Sequence, residues 1–192
     1  MPRRKKSIIE VDGQQYEAKY IGKGQYSKVY QVGDRVVMYT RGDCAKEVLA
    51  MFQYDRMVHL PELIRHENVT IRPGIVWYVF SSPYYRNVTT KDKSAYRLYK
   101  ALKLYHKEWW DIEYPKMTRR TMEGIYRMES FVNYLRNVND KHITNSAIQA
   151  LQELVDVSSN CGGQVDFDIE KRNFGVNEYG TLIFRDLVFV RE

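Results

Sequence analysis

The stretch VDFDIEKRNFGVNEYGTLIFRDLVF, residues 165–189, carries three side chains of the kind that handle protons and metals: Asp168, Asn173 and Asp186. Asn173 follows Asp168 by five positions, and Asp186 follows Asn173 by thirteen. A carboxylate can orient a hydroxyl and take its proton, while an amide oxygen with a second carboxylate suits a hard divalent cation. Far upstream, YIGKGQYSKVYQV (residues 20–32) sets Gly22 and Gly24 between two strand-like runs, followed by Ser27 and Val29. Glycines at such spacing let backbone N–H groups approach phosphate oxygens. The strand–turn–strand context excludes a dinucleotide-binding fold, in which the glycines open a helix. Taken alone, each stretch reads equally well as a plain hairpin with a few polar residues.

The elements that must position these groups follow from pattern. Asp12-Gly13 and Gly33-Asp34 are turn pairs between strand-like runs, so the first forty residues read as antiparallel strands. Residues 43–58 change to a helical period, with Asp43 as a candidate N-cap, and ELIRH and GIVWYVFSS return to strand character. Helical spacing then predicts helices over 91–110, 117–136 and 144–158, the last capped by Thr144 or Asn145 and ended by Cys161-Gly162-Gly163. Two short strands around Asn177-Glu178-Tyr179-Gly180 close the chain. The expected class is α+β in two lobes: a strand-rich lobe with one helix over about 1–82, a connector over 83–90, and a helical lobe over about 91–192.

The composition of the 192 residues is that of a globular chain. No apolar run approaches the length of a membrane span, and the basic start MPRRKKSIIEVDG lacks the apolar segment of a secretory signal, so a cytoplasmic protein with no membrane partner is expected. The net charge is +6, but 24 acids are mixed among 30 bases and no nucleic-acid-binding motif is present, which argues against a nucleic-acid partner. Cys44 and Cys161 are far apart without ligand spacing and are expected as reduced thiols. His59, His66, His106 and His142 show no metal spacing and read as surface or satisfied histidines. Trp109 and Trp110, with the tyrosines of 96–134, read first as core.

The order of these parts resembles the protein-kinase superfamily, and most closely the compact serine/threonine kinases of T7-type bacteriophages. GKGQYSKVY resembles their glycine loop, FDIEKRNFGV their catalytic loop with Asp166-Phe167-Asp168 where most kinases have His-Arg-Asp, and FRDLVF their metal-binding segment. The resemblance implies a bilobal kinase-like fold with a truncated helical lobe ending just after Asp186. It implies ATP and Mg2+ as cofactors and host proteins as substrates or targets. Asp168 then orients the acceptor hydroxyl, Asn173 and Asp186 hold Mg2+, and Gly22, Lys23, Gly24, Tyr26, Ser27, Lys28 and Val29 cover the phosphates. Ser81 and Ser82 stand where a hinge would meet adenine through its backbone.

Three departures qualify the likeness. Met38 occupies the strand position of the usual ion-pairing lysine, leaving Lys23, Lys28 or Arg41 to reach the phosphates and Glu47 to pair with whichever cation serves. Glu170 stands two residues after Asp168, where serine/threonine kinases carry a lysine, so Lys171 is the candidate substitute, with an exposed loop cation as its plainer role. Six residues follow Asp186, so no activation segment is expected. Two other functions stay open: a pseudokinase-like protein that binds and inhibits a host factor, and a small-molecule phosphotransferase.

Overall fold

The β-turns at Asp12-Gly13 and Gly33 set the architecture of the first seventy residues. Asp12 and Gly13 adopt φ of +49° and +74°, and Gly33 adopts +59°, the left-handed conformation that two-residue hairpins require. The structure is a computed structural model and describes residues 6–24, 27–41, 44–52, 57–72, 74–116, 124–161 and 164–191. Its class is α+β. The chain divides into two compact units, one of residues 1–55 and 61–84 and one of residues 56–60 and 85–192.

The first unit holds an antiparallel sheet of β1 (Lys6–Val11), β2 (Gln14–Lys23), β3 (Ser27–Val32), β4 (Arg35–Thr40), β5 (Ile64–Arg72) and β6 (Ile75–Pro83), in the order β1-β2-β3-β4-β6-β5. The sheet curls, as right-handed strand twist favours. Ile9 and Val11 of β1 join Ala18, Val37, Tyr39, Trp77 and Val79 in one buried cluster. Tyr39 donates its hydroxyl to the Glu10 carbonyl. At the rim, the Asp12 carboxylate accepts from the Glu67 N–H at 2.8 Å and lies 2.6 Å from His66 Nδ1, so the first hairpin is fastened to β5. One helix, α1 (Cys44–Phe52), packs on β5. The helical expectation extended to residue 58, whereas Met57–Leu60 form a turn closed by the Leu60 N–H on the Met57 carbonyl. The candidate cap Asp43 lies outside the described residues.

The second unit contains β7 (Arg86–Asn87), α2 (Lys93–Ile112), α3 (Gly124–Arg136), α4 (Asn145–Ser159), β8 (Gln164–Phe167), β9 (Phe174–Val176), β10 (Leu182–Phe184) and β11 (Val188–Arg191). Apolar residues at helical spacing line α2 at Ala95, Leu98, Tyr99, Leu102 and Trp109. Trp109 is buried, with Nε1 donating to Ser130 Oγ at 3.1 Å, so the core reading of that tryptophan holds. The described part of α3 begins at Gly124, within the expected 117–136. A Cβ at Gly124 would lie 1.6 Å from the Val165 carbonyl oxygen, so only glycine lets α3 rest directly on the backbone of β8. Thr144 caps α4 as expected, its hydroxyl accepting the Ala147 N–H at 3.2 Å. Phe131, Phe167, Phe174 and Phe184 fill the core beneath the loops.

The thiol expectation fails, because Cys44 and Cys161 are both disulfide-bonded. Among the described residues, no helix is long and apolar enough to cross a membrane.

Candidate functional site

Three backbone ties gather Asp168, Asn173 and Asp186 at one edge of the second unit. β8 delivers Asp168, and pairing of β8 with β11 brings the preceding segment alongside, where the Asp168 N–H donates to the Leu187 carbonyl at 2.7 Å. A single 3-10 turn, Lys171–Asn173, then folds the chain back, closed by the Asn173 N–H on the Glu170 carbonyl at 2.9 Å. The β9–β10 hairpin returns the chain, and the Asn173 carbonyl accepts N–H groups from Arg185 at 2.8 Å and Asp186 at 3.3 Å. The strand residues of this hairpin are buried, which makes the return path rigid.

Asn173 is the pivot of this edge. It is buried, and its Nδ2 donates to the Asp168 carbonyl at 2.9 Å. With the amide nitrogen fixed in that direction, Oδ1 points the other way, and among the described residues it receives no hydrogen bond. Asp168 is a quarter exposed at its side chain, and Oδ2 accepts from Arg172 at 3.0 Å. Arg172 therefore takes the place beside Asp168 that the sequence offered to Lys171; Lys171 Nζ instead lies 5.9 Å from the centre of the Tyr96 ring. The role of Arg172 was missed because four residues along a chain do not reveal a 3-10 turn, which brings positions 168 and 172 within reach.

Asp166 differs from Asp168 although only Phe167 separates them. It is buried against the Arg127 guanidinium, with Nε donating to Oδ2 at 3.0 Å, and its Oδ1 accepts the Phe167 N–H at 2.9 Å. A buried pair of this type is an anchor between α3 and β8 rather than a reactive group. His106 packs nearby among Trp109, Trp110 and Phe131, and burial pushes its imidazole below the ordinary value against the opposing pull of Asp166 and Asp168.

In the first unit, β2 and β3 form the glycine-rich hairpin. Its register passes through Gly22 opposite Val29 and Lys23 opposite Lys28, with the Gly24 N–H on the Ser27 carbonyl at 3.0 Å. A Cβ at Gly22 would meet nothing within 4 Å, while one at Gly24 would press on Ser27 Oγ at 2.7 Å. Tyr26 lies outside the described residues.

Register also decides which cations share a face with Met38. Directly paired residues of an antiparallel ladder point to the same side, and successive residues alternate. Met38 pairs with Val29 on one side and Phe80 on the other, and Phe80 pairs with Arg65. Val29, Met38, Phe80 and Arg65 thus line one face. Lys28 pairs with Tyr39 on the opposite face, where Lys28 Nζ lies 5.4 Å and Arg41 Cζ 5.0 Å from the centre of the Trp77 ring. Lys23, opposite Lys28, belongs to that side as well. The cation that does meet Glu47 is Arg65, at 3.0 Å. Ser81 faces the Trp77 side and is held by His66 Nε2 at 2.8 Å and Arg35 at 3.3 Å. Pairing of β5 with β6 starts at Ile64 and Ser81, so within the sheet Ser82 and Pro83 are paired on the β4 side, and Ser82 is buried.

Asn173 Oδ1 and the Asp186 carboxylate are oxygen donors of the type Mg2+ takes, and Mg2+ commonly uses only one or two protein ligands beside water and phosphate oxygens. The fixed Asn173 amide fits that requirement. Among the described residues, no group of three or more His, Cys, Asp or Glu side chains is gathered as a metal site. Comparison with known proteins finds neither a family whose model matches this chain nor a curated protein similar to it.

Proposed function

We propose that this chain is a minimal ATP- and Mg2+-dependent protein kinase with a kinase-like bilobal fold of the compact phage type, acting on serine or threonine hydroxyls of host proteins. The observation that carries this reading is the Asn173 side-chain amide, which donates to the Asp168 carbonyl, while the Asn173 backbone carbonyl accepts the Asp186 N–H. An ordinary hairpin has no need to tie an acid, an amide and a second acid to one edge. The order of strands in the first unit, with a glycine-rich hairpin and then a strand, a helix and two more strands, supports the same reading.

In the proposed reaction, the acceptor oxygen bonds to the γ-phosphorus as the bridging P–O bond to ADP breaks. Asp168 Oδ1 orients the acceptor hydroxyl and takes up its proton, while Arg172 keeps Oδ2 in place. Asn173 and Asp186 would hold Mg2+, which when bound supplies positive charge against the phosphate oxygens. Within the first unit, the glycine-rich hairpin is the proposed phosphate cover, and Arg65, paired with Glu47, is a cation on the Met38 face. ATP should bind the full chain more tightly with Mg2+ than without it, in calorimetry. Absence of any Mg2+-dependent ATP binding would remove the proposal.

A second reading has its own observation. Met38 carries no charge, and Lys28 and Arg41 lie over Trp77 instead of sharing its face. A pseudokinase-like protein that grips a host factor would show this, and would capture its partner with no phosphoryl transfer.

A further inference from the structure

The exposed face of α2 is unusually basic. Lys93, Arg97, Lys100 and Lys107 are all exposed and fall within one stripe, since steps of three, four and seven residues return to the same side of a helix. Leu104, half exposed, lies within the stripe, and Asp111 ends it. Among the described residues, none of these four cations has a carboxylate partner. Lys93 and Arg97 sit four apart, Arg97 and Lys100 three apart, and such like-charged neighbours weaken a helix. The first turn holds a lysine and no acid, and the acid at the N-cap, Asp92, is engaged by Arg86 and Thr89. Such a stripe of exposed cations presents charge for something outside the helix.

The stripe runs beside the loop that bears Asp168. On the adjoining flank of α2, Lys103 Nζ lies 3.5 Å from Glu170, two residues after Asp168, and Tyr96 lies beneath Lys171. Tyr99 meets Phe174 edge-on with ring centres 5.2 Å apart, so α2 and the loop are fixed to one another. From Lys93 to Lys107 the stripe is about 21 Å long. An extended peptide of about six residues spans that length.

We infer that α2 is a docking surface for an acidic, extended segment of a protein partner, laid along Lys93, Arg97, Lys100 and Lys107 beside Asp168. This rests on the kinase reading for the partner's being a substrate, but not for its binding. Protein is favoured over nucleic acid because Leu104 offers an apolar contact in mid-stripe and no exposed aromatic ring on the stripe offers base stacking.

The test is fluorescence anisotropy of the full chain with three labelled probes: a peptide with one serine followed by a run of glutamates, the same peptide with glutamines, and single-stranded oligothymidylate of matched charge. The acidic peptide should bind best and weaken with salt. Arg97→Gln/Lys100→Gln/Lys107→Gln should weaken it about tenfold or more, whereas Lys19→Gln/Lys141→Gln should not. The triple variant should fold at least as stably, because like-charged pairs are removed; Arg97→Gln alone should give a partial loss. Equal binding of the glutamine peptide, tighter binding of oligothymidylate, or indifference to the triple variant would overturn the proposal. Stripe-dependent binding without phosphoryl transfer would sink the kinase reading and leave the docking surface standing. Transfer that ignores both the acidic run and the stripe would do the reverse.

Discussion

Arg65 donates to Glu47 at 3.0 Å from the sheet face that carries Met38, while Lys28 and Arg41 are turned to the other face over Trp77. On the proposed kinase reading, Arg65, two strands away and paired with Glu47, stands in for the lysine absent at Met38. Arg65→Met should lower kcat/KM about a hundredfold, the scale for losing a charge aimed at phosphate in a preorganised site. Lys28→Met and Arg41→Met should leave it within about threefold and cost stability by about 0.5–1 kcal/mol through the lost cation–π contact. Steady-state kinetics on the three variants distinguishes them; a large loss in Lys28→Met with none in Arg65→Met would reverse the assignment.

Arg172 holds Asp168 from the same turn, and its side chain is largely exposed. Arg172→Ala should lower kcat about tenfold with KM for ATP unchanged, since the nucleotide contacts are untouched. Arg172→Lys should recover part of that loss. An effect confined to KM for ATP would show that Arg172 serves the nucleotide instead.

The neighbouring acid predicts a different phenotype. Arg127→Ala removes the guanidinium that meets the buried Asp166 and should cost about 3–5 kcal/mol of stability in urea unfolding. Gly124→Ala, which forces α3 away from Val165, should cost about 3 kcal/mol. Asp168→Asn should leave the unfolding midpoint nearly unchanged while removing transfer.

One buried and one half-buried imidazole give the fold a pH dependence. Burial lowers His59, whose Nδ1–H donates to the Leu182 carbonyl at 2.7 Å, and it lowers His106 among its aromatic neighbours. A folded value below the unfolded one means that stability is full above about pH 6.5 and is lost as the pH falls toward the folded value, because the unfolded chain takes up the proton first. Unfolding free energy should decrease from roughly pH 7 to pH 5, and His106→Phe should flatten part of the slope. An increase over that range would contradict the burial argument.

The disulfide-bonded state of Cys44 and Cys161 pulls against the cytoplasmic expectation, since reducing compartments open disulfides. Thiol titration of the denatured chain, purified without reductant, should find no free thiol. Two free thiols would restore the sequence expectation.

What was legible in the sequence is local. Asp12-Gly13 and Gly33 announce their hairpins through the conformation they need, and the apolar stripes of α2 and α4 announce helices through their period. Asp168, Asn173 and Asp186 could be picked out in the sequence by residue type, but the ties that gather them run through the β8–β11 pairing and the Asn173 carbonyl, which join distant segments. The partner of Glu47 was hidden for the same reason: the face of Arg65 is set by registers across two strand pairs. The end of α1 was placed too late because residues 57–60 are apolar enough to continue a helix, yet the His59 carbonyl and ring are committed to hydrogen bonds with Phe184 and Leu182.

The central claim is that Asp186, held on Asn173, supports phosphoryl transfer. Full-length protein incubated with γ-labelled ATP, Mg2+ and host lysate should label protein bands, and Asp186→Ala, though folded, should label none. Unchanged labelling by Asp186→Ala, or no labelling and no Mg2+-dependent ATP binding by the natural chain, would contradict it.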